Sequence, residues 1–176
     1  MIKFITGNVN KFAEVKAVLA DLEQLDIDLP EIQSLDPQEI VEFKLKTALE
    51  HVPGNIIIED TSLFIEGLHG LPGPLIKWFM KAMGREGLAR TVLASGNDRA
   101  EAKTIIGYAD SNGQTFYFEG VISGRIVMPT GETTFGWDPI FMPDGSEVTF
   151  AEMGTDQKNE ISMRRQAAQK LADFLN

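Results

Sequence analysis

The chain has 176 residues, 43% of them hydrophobic and 24% charged, enough apolar material for one folded domain or two closely joined lobes. A formal net charge of −10, with no stretch that gathers basic residues, argues against a nucleic-acid backbone as partner. The absence of cysteine, with only His51 and His69 as histidines, excludes disulfides, thiolate or histidine-rich metal centres and a cysteine nucleophile.

Ile2 to Ile5 reads as a short buried strand, too short for the apolar core of a signal sequence. No apolar run approaches membrane-spanning length either, so no membrane partner is expected and the cytoplasm is the expected address. Phe12, Val15, Leu19 and Leu22 follow at helical spacing, which makes the opening a strand, a turn over Thr6 to Lys11 and a helix. Asp36-Pro37-Gln38-Glu39 has an N-cap, a proline at the first helical position and a capping-box glutamate, and predicts a helix to about His51. Pro53-Gly54 ends it. Asn55 to Ile58 is a β-branched run that predicts a buried strand delivering Glu59 and Asp60 at its C-terminal end.

Gly67 to Pro74, with three glycines and two prolines, reads as a loop. Leu75 to Met83 and Glu86 to Ala94 read as two short helices, the second stopped by Gly96. Ala102 to Ala109 and Gln114 to Val127 flank Ser111-Asn112-Gly113 and predict a hairpin. A stretch rich in glycine and proline from Pro129 to Gly145 precedes a last helix over Glu160 to Leu175, whose apolar side holds Ile161, Ala168, Leu171 and Leu175. Early strand–helix alternation with a long central hairpin predicts an α/β fold built on a mixed sheet.

The acidic weight lies early: residues 1–60 hold five lysines against twelve carboxylates, most of them read as solvated surface. Three places stand apart. Thr6, Gly7 and Asn8 form a strand-to-helix turn of the kind that offers backbone N–H groups to a phosphate. Lys11 in the following first turn opposes the helix dipole, so it is either a solvated lysine or the partner of an anion held there. Of Glu59 and Asp60, adjacent on a strand and therefore facing opposite ways, one can face a cleft and the other can be a buried structural acid. Glu31 is a third carboxylate or an exposed residue. Oxygen ligands without histidine or cysteine suit Mg²⁺, the ion that accompanies polyphosphates.

Phe135-Gly136-Trp137-Asp138 sets two aromatics around a glycine beside an acid, which can stack a flat base and accept from its edge or can simply pack a core. Arg164, in the first turn of the last helix, again opposes a helix dipole and asks for a partner.

Seven motifs in order, Thr6-Gly7-Asn8-x-x-Lys11, Asp28-Leu29-Pro30-Glu31, Glu59-Asp60-Thr61, Gly70-Leu71-Pro72-Gly73-Pro74-x-x-Lys77-Trp78-Phe79, Ser123-Gly124-Arg125-Ile126, Phe135-Gly136-Trp137-Asp138-Pro139 and Lys158-Asn159-x-x-Ser162-x-Arg164, resemble the inosine triphosphate pyrophosphatase family nearly end to end. The resemblance implies a single α/β domain with a long, twisted mixed sheet and flanking helices, two lobes around a central cleft, and a homodimer. It implies hydrolysis of ITP, dITP and XTP between the α and β phosphates to the monophosphate and pyrophosphate, a housekeeping of the nucleotide pool. Thr6, Gly7, Asn8 and Lys11 would hold the phosphates, with Lys44 and Lys77 adding charge, and Thr61 would also bind the substrate. Glu31 and Asp60 would hold Mg²⁺, with Mn²⁺ as a substitute, and Asp60 would also accept the proton from water. Phe135, Gly136, Trp137, Asp138, Lys158, Met163 and Arg164 would hold the base. The family has Ser-His-Arg where this chain has Ser162-Met163-Arg164, so an apolar side chain replaces a polar one beside the base. A Maf-like pyrophosphatase with other base selection and a nucleotide-binding protein without catalysis are the rival readings.

Overall fold

The protein is described here as a computed structural model covering residues 1–132 and 136–176. Its helices are α1 (Val9–Lys16), α2 (Pro37–Leu49), α3 (Ile76–Ala94), α4 (Phe150–Ile161) and α5 (Met163–Leu175). The strands are β1 (Ile2–Ile5), β2 (Leu22–Leu25), β3 (Ile56–Ile65), β4 (Pro72–Gly73), β5 (Arg99–Ala109), β6 (Thr115–Ile126) and β7 (Phe141–Pro143). Together they form one seven-stranded sheet in the order β2-β1-β3-β5-β6-β7, with β4 paired to β3 off that path. The sheet is mixed: β1 runs parallel to β2 and β3, while β4 and β7 are antiparallel to β3 and β6. Among the described residues no helix is long and apolar enough to cross a membrane.

The chain divides into two compact units. The first comprises Met1–Thr61, Thr104–Gly120 and Met163–Asn176; the second comprises Ser62–Lys103 and Val121–Ser162. In the first unit the period of two along β3 is used on both faces of the sheet. Ile57 joins Phe4, Val15, Ile106 and Leu171 in one core cluster, whereas Ile56 and Ile58 join Ile5, Leu45 and Ala48 in another. Burial on both faces is why this strand is a continuous apolar run rather than an alternating one.

In the second unit Trp137, Phe141 and Phe150 pack as an aromatic trio, with ring centroids 5.1–6.4 Å apart. Gly84 breaks α3 with φ 67° and ψ 178°, so the helix is two pieces, as its sequence predicts.

Several expectations are corrected. Leu22 does not continue the first helix. That helix is capped at Ala17, and Leu22 begins β2, where pairing with Ile2 overrides its helical spacing. Glu39 does not close a capping box with Asp36: its carboxylate accepts from Ser34 Oγ, and Ser34 Oγ in turn accepts from the Asp36 N–H. Asp36 itself caps the helix through the Gln38 N–H, 2.8 Å away. Glu59 and Asp60 are not at a strand end, since β3 runs on to Ile65. The Gly67–Pro74 loop carries part of a 3₁₀ turn, Glu66–Leu68, and the two-residue β4.

The last predicted helix is in fact two. Ser162 is extended, with φ −60° and ψ 148°, and ends α4, a helix the sequence reading did not predict. The start of α4 is held by a capping box between Thr149 and Glu152. Ile161 and Leu175 are exposed rather than on the buried side, which Ala168 and Leu171 share with Met163 and Ala167.

Candidate active site

The turn between β1 and α1 is organised by its own side chains. Thr6 Oγ1 accepts from the Asn8 N–H at 3.1 Å, and Asn8 Oδ1 accepts from the N–H groups of Asn10 and Lys11 at 3.0 and 3.2 Å. Asn8 is thus the N-cap of α1. A side chain at Gly7 would meet Asp26 Oδ1 at 2.6 Å, so this position has room for hydrogen alone unless Asp26 moves.

A buried network of charge lies in the same unit. Glu59 is 4% exposed, and its Oε2 accepts from Arg164 Nε at 3.0 Å and from Thr61 Oγ1 at 3.1 Å. Its Oε1 is ion-paired with Lys11 Nζ. Arg164 is wholly buried. One of its terminal nitrogens donates to Glu14 Oε2 at 2.7 Å and the other to Thr61 Oγ1 at 3.1 Å. Thr61 and Thr104 hydroxyls are 2.9 Å apart.

Two cations and two carboxylates therefore close on one another, the arrangement that buried charges require. Burial pushes the Glu59 carboxyl up, but Arg164 and Lys11 outweigh it and leave it at about 2. At Arg164 burial works against the charged form, and Glu59 and Glu14 raise its pKa beyond the ordinary arginine value.

Asp60, the next residue of β3, faces the other way. It is half-buried, and burial is the main cause that lifts its carboxyl to about 6. Lys11 opposes that rise, Glu59 adds to it, and weaker effects follow from Lys44, which lowers it, and Glu31, which raises it. Five charged groups thus act on or at one point of the strand. Glu31 is paired with Lys44 at 2.8 Å.

Among the described residues no three carboxylates or histidines converge as a metal cage. Two carboxylates, Glu31 and Asp60, nevertheless fit Mg²⁺, which binds through one or two carboxylates and completes its shell with water and phosphate oxygens.

The second unit holds Lys77, Gly136, Trp137, Asp138 and Lys158. Lys158 Nζ donates to Asp138 Oδ2 at 2.6 Å, and both residues are buried. Trp137 is 6% exposed in the aromatic trio, and the Gly136 carbonyl accepts from Arg85 Nε at 2.7 Å. Lys77 is exposed, with its ammonium over the Trp78 ring at 5.9 Å. Phe135 lies outside the described residues. Met163 is fully buried at the start of α5, in the first unit with Arg164.

Sequence reasoning found Lys11 and Arg164 by their opposition to helix dipoles, and each does have anionic partners. It missed Glu14 and Thr104. Glu14 had one usable signal: it stands three residues after Lys11, on the same side of α1.

The model of the Ham1 family matches residues 2–174. The chain is 43% identical to the inosine triphosphate pyrophosphatase of Schizosaccharomyces pombe, across 99% of this chain and 94% of that protein. It is 38% identical to a dITP/XTP pyrophosphatase of Methanopyrus kandleri, across 98% and 95%. Among solved structures it is similar to the Ham1 protein of Staphylococcus aureus, with a TM-score of 0.85, 27% identity and coverage of 99% and 97%. A HAM1 protein from Coxiella burnetii superimposes with a TM-score of 0.80 at 26% identity, with coverage of 99% and 97%.

Proposed function

Because the chain belongs to the Ham1 family, we propose that it is a nucleoside triphosphate pyrophosphohydrolase acting on ITP, dITP and XTP. Water attacks the α-phosphorus, the bond from that phosphorus to the α–β bridging oxygen breaks, and the products are the nucleoside monophosphate and pyrophosphate.

The observation that carries the assignment of residues is the setting of Asp60, a half-buried carboxylate lifted to about 6 and flanked by Lys11, Lys44 and Glu31. A carboxyl held near 6 is ionised at neutral pH and still basic enough to take a proton from the attacking water. Lys11, Lys44 and Lys77, with the turn of Thr6, Gly7 and Asn8, neutralise and orient the polyphosphate, and Thr61 steadies the strand beside it. Glu31 and Asp60 would hold Mg²⁺, or Mn²⁺ in its place. When bound, such an ion supplies Lewis-acid polarisation of phosphate oxygens. For the base, Phe135, Gly136, Trp137 and Met163 supply stacking and shape, while Asp138, Lys158 and Arg164 supply polar contacts.

Arg164 carries only donors, so it suits the O6 carbonyl of hypoxanthine or xanthine and opposes the N6 amino group of adenine. A homodimer, which the family resemblance implies, and a cytoplasmic location complete the proposal.

The test is to supply ITP, XTP, dITP, GTP and ATP with Mg²⁺ and identify the phosphate released. Pyrophosphate from the first three, lost on chelation and restored by Mg²⁺, is the expected result. Orthophosphate as the first product would place the cleavage at a different bond.

A further inference from the structure

Glu59 is buried between two cations and has no role of its own in the proposed metal binding or proton transfer. Its two carboxylate oxygens are divided between two cations: Oε1 takes Lys11 and Oε2 takes Arg164. Each of those cations reaches it from the first turn of a different helix, Lys11 from α1 and Arg164 from α5. A cation in that position is repelled by the helix dipole, so without an anion neither would hold a fixed orientation. Stability alone does not need the arrangement to be shared. Arg164 already has Glu14 at 2.7 Å, and the Lys11 side chain is 25% exposed and could be solvated instead. A buried carboxylate joined to both makes them one rigid assembly.

We propose that Glu59 is a positioning residue for base selection: one of its carboxylate oxygens fixes Arg164, while the other holds the phosphate-binding Lys11. The inference rests on the proposed function, in which Lys11 serves the phosphates and Arg164 the base. In that function Glu59 is neither the proton acceptor nor a metal ligand. It also raises the Asp60 carboxyl, an effect common to every substrate; its effect on the choice of base is carried by the arginine it holds.

In Glu59→Gln the amide oxygen can accept from one cation only, and the amide NH₂ turns a donor toward the other. Of the two carboxylates that pair with Arg164, Glu14 then keeps its charge and Glu59 does not.

The experiment compares kcat and KM for ITP and ATP in the wild-type protein and in three variants, Lys11→Gln, Glu59→Gln and the double variant Lys11→Gln/Glu59→Gln. Phosphates are common to both substrates, so Lys11→Gln is expected to raise both KM values and leave the ITP-to-ATP ratio of kcat/KM unchanged. Glu59→Gln is expected to lower that ratio by about tenfold, mainly through a higher KM for ITP. The double variant removes one positive and one negative charge together and so keeps the network neutral if Glu59→Gln alone does not fold. It is expected to show the lowered ratio as well. A folded double variant with the ratio of Lys11→Gln alone, or a loss confined to kcat, would overturn the role of Glu59. Failure of the wild-type protein to release pyrophosphate from ITP would instead overturn the proposed function on which that role rests.

Discussion

Asp60 and Glu59 are neighbours on one strand whose carboxyl groups are driven in opposite directions, to about 6 and about 2. The cause at Asp60 is burial without enough compensating charge; at Glu59 it is two cations strong enough to overcome burial. Opposite consequences follow for stability. The Glu59 value is depressed from an ordinary 4.5, so its contribution is complete above pH 4.5 and is lost as the pH falls through 2. That shift corresponds to about 3 kcal/mol. Urea unfolding between pH 5 and pH 2 is therefore expected to show the wild-type protein losing stability more steeply than Glu59→Gln, and parallel curves would contradict the pairing. The Asp60 value is raised from an ordinary 3.8, so its contribution favours the folded state at low pH and is lost as the pH rises through 6. Asp60→Asn is accordingly expected to raise the melting temperature at pH 7 while abolishing pyrophosphate release and sparing nucleotide binding by calorimetry. Turnover in that variant would remove Asp60 from the chemistry.

At this scale the sequence was informative about which residues are unusual but not about their partners. Lys11 and Arg164 stood out because a cation in the first turn of a helix is locally unfavourable. Glu14 and Glu59 answer Arg164 across 150 and 105 residues of chain, a pairing that no local rule encodes.

Elements whose signals are local were legible: β1, the proline-started α2, the hairpin around Ser111-Asn112-Gly113 and the division of α3 at Gly84. Those decided by pairing at a distance were not. Leu22 fits a helical period but belongs to a strand because β1 lies alongside it. The length of β3 depends on neighbours beyond Glu59, among them β4, which pairs with Leu63 and Phe64. The start of α4 did carry the Thr149-x-x-Glu152 signature, but Gly154, at φ 74°, interrupts the periodicity that would have extended it.

One element-level constraint is strict. Gly120 of β6 lies against the first turn of α5, and an added Cβ would fall on the Met163 carbonyl oxygen and lie 2.8 Å from the Ala167 nitrogen. Those are backbone atoms, so the helix as a whole must shift. Gly120→Ala is expected to cost about 2 kcal/mol or more in urea denaturation and to weaken selection of ITP over ATP, because Arg164 leaves from that same turn. A variant with wild-type stability would mean that β6 and α5 separate more easily than their contact implies.

On the scale of the molecule, the first unit is assembled from three stretches of chain and the second from two. The final stretch of the first unit, Met163–Asn176, supplies Arg164 together with Ala167, Ala168, Leu171 and Ala172 of the core. Removing it would expose apolar surface and leave Glu14 and Glu59 without their arginine, a broken buried pair worth about 3–5 kcal/mol. Against a total stability of roughly 5–15 kcal/mol, that loss is decisive. A chain ending at Ser162 is expected to lose the near-ultraviolet circular dichroism of Tyr108 and Tyr117, the tyrosines of the first unit. A native tyrosine signal in that chain would show that α5 is dispensable to the unit.

The same distance in sequence becomes a delay during synthesis. Glu59 is made 105 residues before Arg164, which at about 5–20 residues per second is an interval of about 5–20 s on the ribosome. Through that interval the carboxylates of Glu14 and Glu59 have no arginine to enclose, while every residue of the second unit is being polymerised. The first unit, which holds the earliest residues of this sequence, is therefore completed only after the whole second unit has been made, and its charged interior can close only then.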